Sequence, residues 1–245
     1  MPGGPQEEPA AVCPFGFPPA CTVVVVADLV AVRGASAVTL IEREVIQLFA
    51  LIRDGIAGAT YALVSGEREA ARFLGGRVEA AETRYREIDR LLEDCLCEGK
   101  LSPARTRYLL ALVRMLPELE RSGALADHIA QRARGSLTRE MSARARGLIE
   151  QMGELLGNMW GLAADAYAEH LVAMAASVAD LDEQLDALHE TFLEELASGA
   201  VPVAVAVELA LVGRFYERLG DHAVNLTRRI PAQSSLAALS PGPRG

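Results

Sequence analysis

Residues 205–230 read VAVELALVGRFYERLGDHAVNLTRRI. Within them Val205, Leu209, Val212, Tyr216, Leu219, Ala223, Leu226 and Ile230 recur in alternating steps of four and three. A seam of that period predicts a long helix burying one stripe against neighbouring helices. Upstream, Leu171, Met174, Val178, Leu181, Leu185, Leu188 and Phe192 predict another such helix. Met141, Ala145, Leu148, Met152, Leu155, Met159 and Leu162 predict one more. Three amphipathic helices joined by short loops form an antiparallel bundle.

The first half of the chain repeats this plan. A shift of 100 residues places Ile41, Val45, Leu48, Ile52, Gly55, Ala59 and Ala62 under the Met141 seam. The same shift places Leu74, Val78, Ala81, Tyr85, Ile88 and Leu92 under the seam that ends at Phe192. A shift of 97 aligns Tyr108, Leu112, Met115, Leu119, Ser122, Ala126, Ile129 and Ala133 with the last helix. The expected fold is all-α: two tandem three-helix bundles, each up-down-up and antiparallel. Residues 1–36 are read as a flexible N-terminal extension, 37–134 as the first repeat, 135–230 as the second and 231–245 as a disordered C-terminal tail. Gly135-Ser136 and residues 198–202 mark breaks, Ser102-Pro103 reads as a cap ahead of a first-turn proline, and Pro117 is expected to kink its helix.

Composition agrees and narrows function. The 245 residues are 51% hydrophobic and 5% aromatic, rich in the helix formers Ala, Leu, Glu and Arg. The formal net charge is −9. No basic run supplies the field that nucleic acid requires, and Arg132, Arg134, Arg139, Arg144 and Arg146 read as a solvated face. Cys13, Cys21, Cys95 and Cys97 form no disulfide framework, and Cys95 and Cys97 point to different sides of a helix. The apolar run from Thr22 to Val32 is too short to span a bilayer and lacks a preceding basic residue, so the expected location is the cytoplasm.

The chemistry lies in the quoted helix. Glu217, Asp221 and Asn225 are spaced by four, which stacks them on a strip opposite the seam. Asp182 and Asp186 form a second i,i+4 pair flanking Leu185. Antiparallel packing of the two helices would bring four carboxylates and an amide to one surface, a ligand set suited to a hard or borderline cation such as Mg²⁺, Mn²⁺ or Fe. The same spacing also describes an ordinary solvated face. His222, at the seam edge, reads as a hydrogen-bonded structural residue.

The run from Glu217 through Gly220, Asp221 and His222 to Asn225, closing a third helix, resembles the signature of the PhoU family of phosphate-signalling regulators. The two three-helix repeats over roughly residues 37–230 resemble the family as well. That resemblance implies a PhoU-like fold and a cytoplasmic, oligomeric protein, a homodimer or larger, without catalytic activity. It implies a negative regulator of phosphate uptake and phosphate-starvation signalling. The implied partners are a PstB-like transporter ATPase and a PhoR-like sensor histidine kinase, with the membrane met only through them. It further implies a metal (Fe, Mn, Mg or Zn) at Asp182, Asp186, Glu217 and Asp221, with Asn225 in support.

The first repeat departs from this pattern. Glu120 and Gly123 keep the frame and Glu82 stands under Asp182, but Ala124, Arg86 and His128 replace Asp221, Asp186 and Asn225. A fixed guanidinium repels a dication, so metal is expected in the second repeat only. A helical carboxylate metalloenzyme is an alternative, but it would need Glu-x-x-His spacings that this sequence lacks. A ligand-free helical scaffold is another. No phosphate-binding glycine loop, catalytic triad or dinucleotide fingerprint is present, so no enzyme is expected.

Overall fold

The computed structural model describes residues 19–66, 68–97, 101–133 and 137–231, with side chains described from residue 37 onward apart from 67–79 in the second helix. The described residues form helices α1 (Pro19–Ser65), α2 (Arg68–Cys97), α3 (Pro103–Ala133), α4 (Leu137–Glu140), α5 (Ala143–Glu169), α6 (Met174–Ala197) and α7 (Val203–Arg229). Among them there is no strand.

The α3 and α7 seams do what their period predicts, whereas Leu171, read as the first position of the α6 seam, precedes that helix and is exposed, and the side chains of Leu74 and Val78 lie outside the described residues. All eight positions of the last seam, from Val205 in α7 to Ile230 just past its end, are buried, and so are all eight α3 positions from Tyr108 to Ala133. Within each repeat the three helices pack on one another. The repeats then fuse: α1 packs on α5 and α3 on α7, so α1, α3, α5 and α7 form a central four-helix layer. α2 flanks it on the α1/α3 side and α6 on the α5/α7 side. This explains why α6 buries only Val178, Leu185, Phe192 and Leu196, nearly one residue per heptad. It also explains the apolar character of Ala37–Ser65, whose mean hydropathy of 1.3 and length would suit a membrane span. In this fold that stretch packs against α2, α3 and α5.

The largest core side chains sit where the repeats meet. The Phe49 ring lies 5.9 Å from Trp160 and 5.7 Å from Tyr167, centre to centre. The Trp160 indole N–H donates to the Leu219 carbonyl at 3.2 Å. Thr60 Oγ1 donates to the Ile56 carbonyl (2.9 Å), so the Tyr216 hydroxyl donates to Thr60 Oγ1 (2.6 Å), tying α1 to α7. Each buried polar tip thus finds a partner, and the Thr60–Tyr216 bond crosses the repeat boundary.

Several boundaries match the sequence reading. Ser102 Oγ accepts from the Arg105 N–H (3.2 Å) just before Pro103 opens α3, and α6 ends and α7 begins around residues 198–202. α3 runs through Pro117 without interruption. Other boundaries differ. α1 begins at Pro19, inside the segment read as an extension, with proline in the first-turn position that tolerates its missing N–H. Residues 1–18 and 232–245, and the Gly135-Ser136 break, lie outside the described residues. After that break the helix starts in two pieces, α4 and then α5, the latter capped by Ser142 Oγ accepting from the Ala145 N–H (3.0 Å). The arginine face is only partly solvated. Arg146 donates to the carbonyls of Val64 and Thr138 (2.6 Å for the latter), and Arg132 pairs with Glu208 at 3.1 Å over the Phe215 ring.

Candidate functional site: an acidic groove on the second repeat

Two glycines on α7 let α6 come close. A Cβ on Gly220 would lie 2.6 Å from Asp182 Oδ1 and 2.6 Å from Leu185 Cδ2. A Cβ on Gly213, one heptad earlier, would meet His189 Cδ2 and Phe192 Cδ1 at 3.0 Å. These contacts fix the antiparallel register: Asp182 lies beside Gly220 and His189 beside Gly213. The groove above them carries Asp182, Asp186 and His189 from α6, and Arg214, Glu217 and Asp221 from α7.

The electrostatics show that the carboxylates share one field. Burial raises the Asp182 carboxyl to about 6, with Asp186, Asp221 and Glu217 adding to the rise and Arg228 opposing it. Burial also raises Asp186, followed by the charges of Glu217 and Asp221, against a lowering by His189. Glu217 is ion-paired with Arg214 and stands 3.8 Å from His189 Nδ1. Among the described residues no three His, Cys, Asp or Glu side chains are gathered closely enough to hold a metal ion. The four acids therefore line one groove without converging. Their all-oxygen chemistry and mutual repulsion suit a hard cation, whose binding would require side-chain rotation and release of Glu217 from Arg214.

Asn225 stands apart from this group. Its amide donates to Glu118 Oε1 on α3 at 3.2 Å, and Arg229 pairs with the same carboxylate. The neighbouring His222 is 6% exposed. Ser122 Oγ donates to the Glu118 carbonyl (2.7 Å), so His222 Nδ1 donates to Ser122 at 2.9 Å. The histidine is thus the hydrogen-bonded structural residue that its position at the seam edge suggested. Asn225 and His222 join the repeats, whereas Glu217 and Asp221 face the groove.

The first repeat builds something different at the matching place. Burial, followed by the charges of Glu120 and Asp89, raises the phenol of Tyr85, which stands in the Leu185 position. Arg86 donates to the Glu82 backbone carbonyl (3.3 Å) rather than to its carboxylate. A Cβ on Gly123 would meet nothing within 4 Å, so the close helix approach seen at Gly220 is missing.

The sequence reading missed His189, Arg214, Gly213 and Arg228. The first three carry a legible signal: His189 lies seven residues after Asp182, Gly213 seven before Gly220, and Arg214 three before Glu217. Those spacings return a residue to the same helix strip.

Fold and site together define a tandem three-helix-bundle protein with a carboxylate-rich groove on its second repeat. A family model described as the PhoU domain matches residues 149–230. The phosphate-specific transport system accessory protein PhoU homolog 2 of Mycobacterium tuberculosis (strain ATCC 25618 / H37Rv) is 30% identical over 132 residues, 53% of this chain and 62% of that protein. The chain thus spans about three-fifths of that relative's length. The PhoU homolog of Pseudomonas putida is 27% identical over 184 residues, 74% of this chain and 72% of its own. The crystal structure of PhoU from Pseudomonas aeruginosa matches with a TM-score of 0.74 at 23% identity, over 80% of this chain and 95% of that one. The chain is thus similar to PhoU proteins, and the PhoU domain is matched over its second repeat.

Proposed function

We propose that this protein is a cytoplasmic accessory regulator of phosphate transport that restrains uptake and starvation signalling through protein contact. The observation that carries the reading is a coincidence of place: the segment matching the PhoU domain, residues 149–230, is the segment that builds the acidic groove. The proposed partners are a PstB-like transporter ATPase and a PhoR-like sensor kinase, met by a homodimer or larger oligomer. The matched curated relatives bear the name of accessory proteins of phosphate transport, which supports this choice and a non-enzymatic role.

The groove is proposed to take one metal (Fe, Mn, Mg or Zn) through Asp182, Asp186, Glu217 and Asp221. A dication there would offset the burial and the neighbouring carboxylates that together raise Asp182. The first repeat is proposed to bind none, since Ala124 and Arg86 stand where the second repeat has Asp221 and Asp186. The unassembled ligand set gives a ligand-free regulator some support as a second reading.

Titrating the purified chain with Mn²⁺ by calorimetry separates the two readings. The metal reading expects a single class of site, lost on replacing the four acids with alanine and kept in Glu82→Ala/Glu120→Ala. No heat from the wild type would leave the ligand-free reading. The regulatory claim is tested separately by deleting the gene in its host, which should raise phosphate-starvation transcription in phosphate-rich medium; unchanged transcription would sink it.

A further inference from the structure

Where the two repeats meet, α3 and α7 run antiparallel, and three contacts set their register. Ser122 lies beside His222 (2.9 Å), Glu118 beside Asn225 (3.2 Å) and the His128 ring against Phe215 (5.7 Å between centres). On α7, Arg218 falls three residues after Phe215 and four before His222, so it shares their strip facing α3. On α3, Arg121 falls three residues after Glu118 and seven before His128, and Arg114 and Arg107 continue that strip at steps of seven. The furrow between the helices therefore has Arg107, Arg114 and Arg121 on one wall and Arg218 and Arg229 on the other, all exposed. Burial lowers the His222 imidazole, and Arg218 and Arg121 lower it further against Glu118 and Asp221, so both guanidiniums lie close to that ring. Arg229 is neutralised by Glu118, which also accepts from Asn225. Among the described residues Arg107, Arg114, Arg121 and Arg218 form no ion pair. In a chain of formal net charge −9, they make a local positive field with no counter-charge of its own. Leu110 and Leu211, 42% and 41% exposed, stand at the two ends of the furrow. From Leu110 to Arg132 its α3 wall runs roughly 33 Å, at about 1.5 Å of rise per residue.

We propose that this furrow docks an acidic amphipathic helix of a partner protein, whose carboxylates meet the unpaired arginines and whose apolar side chains meet Leu110 and Leu211. Two packed antiparallel helices accept a third along the furrow between them. A guanidinium fork grips a carboxylate through two parallel hydrogen bonds. Arginines seven residues apart on α3 match carboxylates repeated every seven residues on a partner helix, a spacing of about 10 Å. A broad anionic surface fits less well. Glu120 on the α2 side of α3 and Asp221 on the α6 side of α7 are exposed beside the furrow and would be pressed against it. The furrow lies apart from the acidic groove between α6 and α7, so the proposal does not depend on a metal there.

The test uses the purified full-length chain and two labelled helical peptides of about 22 residues that share a leucine stripe. One carries glutamate at every seventh position and its twin carries arginine there. The chain's net charge of −9 favours the arginine peptide at long range, so preference for the glutamate peptide requires a local positive surface. Anisotropy should show the glutamate peptide binding at least about tenfold more tightly than its twin. Arg121→Gln/Arg218→Gln should weaken it by about tenfold or more, with helicity and Tm unchanged because both side chains are exposed and unpaired. Arg90→Gln/Arg144→Gln, which removes exposed arginines on α2 and α5, should leave it intact. Equal or tighter binding of the arginine peptide, or a response that is the same in both double variants, overturns the proposal. So does a wild type that refuses both peptides. Capture of phosphatidylserine vesicles in their place, lost in Arg121→Gln/Arg218→Gln, would overturn it by assigning the furrow to a lipid surface.

Discussion

Substituting alanine at Gly220 and at Gly123 should have opposite effects, although both glycines close a Glu-Arg-x-Gly frame. At Gly220 the new methyl would sit 2.6 Å from Asp182 Oδ1 and from Leu185 Cδ2. Asp182 is only partly buried and can rotate away. Leu185 is fully buried, so α6 must move or the leucine must leave its rotamer. Overpacking of this kind costs about 1–3 kcal/mol, against about 1 kcal/mol gained from alanine's helix propensity. The expected net is a loss of up to about 2 kcal/mol. At Gly123 nothing lies within 4 Å, so only the propensity gain remains and Gly123→Ala should stabilise by about 0.5–1 kcal/mol. Urea denaturation of both variants beside wild type measures the difference. A Gly220→Ala protein at least as stable as wild type, or a destabilised Gly123→Ala, would refute the claim that only the second repeat brings its helices into close approach.

Three further outcomes follow from the packing and electrostatics. Gly153→Ala should be the most damaging glycine replacement, by about 2–4 kcal/mol, because its Cβ would lie 2.4 Å from Thr60 Cγ2 and Thr60 is held by Ile56 and Tyr216; a thermal melt within a degree or so of wild type would count against it. Tyr216→Phe should cost about 1 kcal/mol in urea denaturation by removing the α7–α1 hydrogen bond, and an unchanged midpoint would deny that bond any net worth. Asp182, raised to about 6 when folded against about 3.9 unfolded, should make stability fall as pH rises from about 4 to about 6, because the unfolded chain releases its proton first. Asp182→Asn should flatten that window and, after discounting for solvent screening, add on the order of 1 kcal/mol at pH 7; a pH profile identical to wild type would contradict the shared field.

The α7 seam was readable because heptad spacing fixes which stripe is buried whatever the neighbour is, and every seam residue from Val205 to Ile230 is indeed buried. Spacing does not say which neighbour takes each outer-face residue. Glu217, Asp221 and Asn225 advance about 400° at each four-residue step, so the strip turns about 40° per step. That drift leaves Glu217 facing His189 on α6 and carries Asn225 around to Glu118 on α3. The fusion of the repeats was likewise illegible, since a helix buried on two sides and one buried on one side share the same seam period. The groove's Asp182–Gly220 contact depends on an interhelical distance that no local pattern encodes. What the sequence did carry was the asymmetry: Ala124, Arg86 and Tyr85 stand where the second repeat has Asp221, Asp186 and Leu185.

The most direct measurement is mass spectrometry of proteins co-purifying with the tagged chain from phosphate-replete cells. Wild type is run beside the variant with Asp182, Asp186, Glu217 and Asp221 all replaced by alanine. A contact-acting regulator working through its second repeat should bring down a PstB-like ATPase or a PhoR-like sensor kinase, with recovery falling at least about tenfold in the variant. Recovery of neither protein by the wild type, or equal recovery by both chains, would contradict it.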